Sequence, residues 1–252
     1  MIHALRSEWI KLRTIRMNWI LIGIAVAFPP LVSILTTALQ KERDVTAENV
    51  VSLVSGTSVV TALLLGVIGG TAITGEFGFN TIRSTFAATP RRWTVILAKG
   101  IVTLVVAVLA EAVVVVVTYV ACSIVASGRD RPISISDVPA GTAPLLGVIV
   151  FAGLVALLGY GLGLVVRNTP ATVAILLVWP LVIEGLLAAL LGAIGVDHPV
   201  KLMPYNSGIQ LGNPDAGSDP ELLSRVPAGL YFGTVTVVIL VIGAVLTSRR
   251  DA

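Results

Sequence analysis

Six long apolar runs, separated by short polar stretches, organise the 252 residues. They lie at 17–39, 50–74, 95–126, 143–166, 171–196 and 230–247. A bilayer core needs about 20 helical residues to cross. Five of the runs exceed that comfortably, and the last is borderline. Each is read as a helix, because an open strand would leave backbone polar groups unsatisfied in lipid. The expected fold is therefore all-α: a polytopic membrane protein with six transmembrane helices in a single domain, 1–252. The third run is too long for a straight crossing, so it tilts or extends beyond the membrane.

The polar stretches carry their own periodicity. In residues 1–16, Leu5, Trp9 and Leu12 recur at helical spacing, with Glu8, Lys11 and Arg13 nearer the opposite face. That pattern predicts an amphipathic helix lying in the membrane surface ahead of the first span. The same basic residues also serve as a topology anchor, and the two readings are compatible. In 75–94, Phe79, Ile82 and Phe86 share one helical face while Glu76, Asn80 and Arg83 share another, and Thr89-Pro90 ends the pattern. A short helix of this kind fits a groove on a soluble partner. A solvated interfacial loop with topogenic arginines is the alternative. The external segment 197–229 holds several prolines and glycines around a possible short helix at 221–226.

Composition agrees with the spans. The chain is 56% hydrophobic and 12% charged, with mean hydropathy +0.96, whereas soluble domains carry about 25% charged residues. A net charge of +3 and a pI of 9.3 are read here as topology signals rather than a nucleic-acid footprint. With both termini on one side, that side receives Arg6, Lys11, Arg13, Arg16, Arg83, Arg91, Arg92, Lys99, Arg167, Arg249 and Arg250, against the acids Glu8, Glu76 and Asp251. The other side has Lys41, Arg43, Arg129, Arg131, Lys201 and Arg225 and is rich in acids. The positive-inside rule then places both termini, 75–94 and 167–170 in the cytoplasm of a plasma-membrane protein. The start of the chain is too polar for a cleavable signal peptide. Cys122 is the single cysteine and excludes an internal disulfide.

Several chemistries are excluded by motif. The sequence has no G-x-x-x-x-G-K-[ST] phosphate loop, no HExxH and no cysteine cluster; its two histidines, His3 and His198, are far apart. No metal site, catalytic residue or cofactor of its own is expected. Inside the spans, Glu111 and Glu184 are ionisable and costly in lipid. Each is a polar spot on a path through the bundle, a contact in a dimer seam, or a protonated carboxyl hydrogen-bonded within the bundle. Pro180 should kink the fifth span beside Glu184, and Pro29-Pro30 should bend the first. Gly66 with Gly70, and Gly159 with Gly163, permit close helix approach, expected within one protomer. Thr169-Pro170 reads as N-cap and first residue of the fifth span.

The stretch GEF…TIRSTFAATPRR…AK resembles the cytoplasmic loop of type-two ATP-binding-cassette (ABC) exporter permeases, a group that includes bacterial drug and antibiotic-peptide exporters. SEWIKLRTIRMNWI resembles that family's N-terminal elbow helix, and LTSRRDA its basic tail. The resemblance implies that 75–94 is a coupling helix contacting a separate cytosolic ATPase. Glu76, Thr81, Arg83, Pro90, Arg91 and Arg92 would carry the contact, with Phe77 and Phe86 packing. Glu8, Lys11 and Arg13 of the elbow would add to that surface. It further implies that ATP and Mg bind the ATPase, that two permease copies or related chains pair in the bacterial inner membrane, and that the first, second and fifth helices border the export path. Pro29, Pro30, Glu111, Pro180 and Glu184 are then path candidates, for a lipophilic drug, antibiotic peptide or lipid. An ion-coupled secondary transporter or channel using Glu111 or Glu184 is a competing reading, and a non-transporting membrane scaffold is another. The first lacks the internal repeat it predicts.

Overall fold

The computed structural model describes residues 2–41, 44–79, 81–82, 92–138 and 140–250. These are helical throughout their long elements, with no strand among them. Six helices are long and apolar enough to cross a membrane: Arg16–Leu39, Ala47–Gly78, Arg92–Ser127, Ala143–Val166, Thr169–Ala193 and Arg225–Arg249. They are called the first to sixth spans. The N-terminal helix Ile2–Thr14 precedes them. At 36 residues and about 1.5 Å per residue, the third span is longer than a bilayer core is thick.

The second and fourth spans form the centre. In each, 61% of the apolar window is buried, against 11% in the fifth span and 22% in the sixth. Their glycines explain the closeness. A Cβ on Gly159 would sit 2.0 Å from the Gly66 carbonyl oxygen, and one on Gly69 would sit 2.3 Å from that of Ala156. Gly163 lies against Gly70 in the same seam. The two small-residue pairs expected from the sequence thus face each other across one helix–helix contact within the chain.

Proline effects are absorbed in two ways. The first span stays helical through Pro29 and Pro30. Pro29 has no N–H to give the Ala25 carbonyl, and the Thr61 hydroxyl of the second span donates to that oxygen instead, at 2.9 Å. In the fifth span the helix Thr169–Val178 passes into a π turn, Trp179–Ile183, before Glu184–Ala193. The Glu184 N–H reaches the Trp179 carbonyl five residues back, so the disturbance expected at Pro180 takes the form of a widened turn. The N-cap of this span is Asn168, whose Oδ1 accepts from Ala171 N at 3.0 Å. Thr169 lies in the first turn, where its hydroxyl meets that of Thr74 at 2.7 Å.

Between the fifth and sixth spans, the short helix is Pro204–Ile209 rather than 221–226; the sixth span already begins at Arg225. Tyr205 of this short helix stacks edge-on to Phe151 of the fourth span, at 5.2 Å, and to Phe232 of the sixth, at 5.9 Å. At the far end of the first span, the Arg129 guanidinium donates to the carbonyls of Thr37 and Gln40 at 2.6 and 2.7 Å. A cation there complements both the open carbonyls and the helix dipole.

Candidate functional site

Four charged side chains meet where the N-terminal helix crosses the ends of the second and third spans. Glu8 and Lys11 are one turn apart on the N-terminal helix, at 2.9 Å. Glu76 closes the second span and Lys99 opens the third. Lys11 reaches Glu76 at 2.8 Å, Lys99 reaches Glu76 at 3.0 Å, and Lys99 also pairs with Glu8. Each ammonium touches both carboxylates, so charges alternate around the group. Burying an unmatched charge here would cost several kcal/mol; the alternation lets two acids and two bases go in together.

This turns the amphipathic pattern partly around. Periodicity assigns Glu8 to the outward charged face, but it is buried while Trp9 is exposed. The reason is the complementary charge of Lys99, ninety-one residues away in sequence. Lys11 is half-buried and Arg13 exposed. For Lys11, burial alone would pull the pKa down, but hydrogen bonds and charges from Glu76 and Glu8 outweigh it and hold the ammonium above its ordinary value.

The surroundings of the cluster tie the second and third spans to the fourth and sixth. The Arg92 guanidinium, at the start of the third span, donates to the Ser248 carbonyl near the end of the sixth at 3.2 Å. Phe77 packs against a small core containing Ile73, Ile82, Ile96 and Tyr160, and the Arg167 guanidinium lies 4.8 Å from its ring centre. Thr81 donates weakly to the Glu76 carbonyl, at 3.4 Å. Phe79 is exposed, whereas Ile82, expected on the same apolar face, is buried. Arg83, Phe86, Pro90 and Arg91 lie outside the described residues.

The path candidates separate. Glu184 is fully buried and completely used: its oxygens accept from Trp179 Nε1 at 3.1 Å and from Tyr205 N, Asn206 N and Asn206 Nδ2 at 2.8 Å each. It thus caps the short helix Pro204–Ile209 and ties it to the π turn. Glu111 is also fully buried but lies against Ser58 with neither oxygen hydrogen-bonded. Pro29 is buried and Pro30 partly so, while Pro180 flanks an apolar cavity of about 240 Å³ between the fourth, fifth and sixth spans. The hydrophobic pattern marks neither Lys99 nor Thr61 for the roles they play. Lys99 sits in the opening turns of an apolar span, and a lysine in that place is the available signal.

The architecture defines a multi-pass membrane protein with an ion-linked joint at one end of the bundle. A family model described as ABC-2 family transporter protein matches residues 4–196, and the chain belongs to that family. It is therefore a membrane permease component of an ABC transporter, a component that is not itself catalytic and whose family works with an ABC ATPase. The match takes in the N-terminal helix from residue 4, the whole charged cluster and the first five spans. A search of curated proteins finds no match to the chain.

Proposed function

We propose that this chain is the membrane half of an ATP-driven exporter, acting on a lipophilic drug, an antibiotic peptide or a lipid. Two copies, or this chain and a related one, pair in the bacterial inner membrane with both termini cytoplasmic. The residues from Glu76 to Arg92 receive the push of the ATPase, with Arg83, Pro90 and Arg91 in contact and Phe77 and Phe86 packing behind them. ATP and Mg belong to that partner. Lys11 and Arg13 extend the same surface.

The supporting observation is the charged cluster. Its members Glu76 and Lys99 stand on either side of the 80–91 connection, and both are tied to Glu8 and Lys11. A displacement of the connection therefore moves the N-terminal helix and the ends of two spans together. Loose ends would dissipate that movement.

The test is a reconstituted complex with its ATPase. Arg83→Ala should lower substrate-stimulated ATP hydrolysis while expression and membrane insertion stay unchanged. Unaltered stimulation would count against the assignment, as would solute movement by the purified chain with no nucleotide-hydrolysing companion.

A further inference from the structure

A cavity of about 400 Å³ lies between the N-terminal helix and the first three spans. Leu12, Ile15 and Val102 give it hydrocarbon walls, Thr71 and Thr103 add hydroxyl-bearing side chains, and the charged cluster forms one side. A single water occupies about 30 Å³ of liquid, so the space suits something far larger.

The cluster sums to zero charge but is unevenly exposed. The side chains of Glu8, Glu76 and Lys99 are 5%, 11% and 5% exposed, while that of Lys11 is 40% exposed. An incoming molecule thus meets an ammonium first. A lysine has three N–H donors. Lys11 spends two on Glu8 and Glu76, and one remains. The complementary ligand is an acceptor-rich anion attached to an apolar body. The location suits such a molecule. The cavity adjoins the N-terminal helix, whose Trp9 and Ile10 are exposed beside the first spans, as in helices that lie along a bilayer surface.

We propose that this cavity holds the phosphate headgroup of a membrane phospholipid. The Lys11 ammonium donates to a phosphate oxygen, and Leu12, Ile15 and Val102 cover the glycerol end of the chains. The bound lipid braces the N-terminal helix against the second and third spans. Lys11 also belongs to the surface proposed to meet the ATPase, and lipid binding is read on the chain without that partner.

The full chain, purified in dodecyl maltoside, is titrated with dioleoyl phosphatidylglycerol and followed by native mass spectrometry and phosphorus NMR. A single phospholipid should be retained, with its phosphorus signal shifted. Diolein, with the same chains and no phosphate, should bind at least about tenfold more weakly. Lys11→Gln removes the ammonium, and Thr71→Leu fills the cavity without touching the four charges; each should weaken phospholipid binding by about tenfold. Thr71→Leu decides the matter if Lys11→Gln fails to fold. Equal binding of diolein overturns the proposal, as does unchanged phospholipid binding in Thr71→Leu. Inorganic phosphate binding as tightly as the lipid also overturns it.

Discussion

A carboxylate is tolerated deep in a helix bundle when every acceptor position is used, and Glu184 meets that condition with four donors. Two of those donors are backbone N–H groups of the short helix Pro204–Ile209, so Glu184 acts as its cap in the way an N-cap side chain normally does. Glu184→Ala would leave Tyr205 N, Asn206 N and Trp179 Nε1 unpaired, at a cost on the order of 2–3 kcal/mol. A clear fall in the detergent melting temperature should report it. Glu111 has no hydrogen bond to lose, so Glu111→Gln should shift the same melting curve little. If the two variants melt alike, the division of roles between these carboxyls is wrong.

At the scale of elements, the contact between the second and fourth spans leaves no room for a side chain. Gly159→Ala would put a methyl 2.0 Å from a backbone oxygen, and neither helix can yield without moving its neighbours. Overpacking of this kind typically costs about 1–3 kcal/mol, occasionally more. Gly159→Ala should reduce the monodisperse fraction in fluorescence size-exclusion chromatography. Gly23→Ala, with nothing within 4 Å of the added atom, should not. The spans themselves are readable from the sequence because lipid forces the choice: an apolar run of sufficient length has one way to satisfy its backbone. The glycine pairs are readable too, by spacing. The repair of Pro29 is not. Thr61 and Ala25 are thirty-six residues apart, and a threonine in an apolar run carries no mark of the carbonyl it serves. The short helix between the fifth and sixth spans falls elsewhere than its composition suggests, because turn-rich sequence around 197–229 does not say which turn will be packed. Phe151 and Phe232 decide that from other spans.

For the whole molecule, the charged cluster is the joint that ties three elements together at one end of the bundle. Its existence is half visible in the sequence: Glu8, Lys11 and Glu76 stand out as charges near the membrane surface, yet an amphipathic pattern assigns charges outward. Which of them turn inward depends on Lys99, and pairing between distant segments is not encoded in periodicity. If the joint transmits force, its charge pattern should matter more than the identity of its members. Lys99→Glu places three acids together and should uncouple ATP hydrolysis from transport in the reconstituted complex, or abolish insertion. Adding Glu8→Lys, Lys11→Glu and Glu76→Lys reverses all four charges, restores alternation around the group and should recover a measurable part of the transported solute per ATP. Recovery no better than the single variant would show that the cluster is incidental to coupling.

The widened turn at Trp179–Ile183 has a consequence for aim. Each residue added to a helix rotates the remainder of that helix by about 100°, and a π turn accommodates one residue more than an α turn would. The widened turn therefore absorbs the surplus residue locally, and Glu184 keeps its aim at the short helix. Deleting Val182 would leave a smoother helix with its outer half still facing the short helix, whereas winding all the residues as regular α-helix would carry the carboxylate about 100° off its donors and toward hydrocarbon.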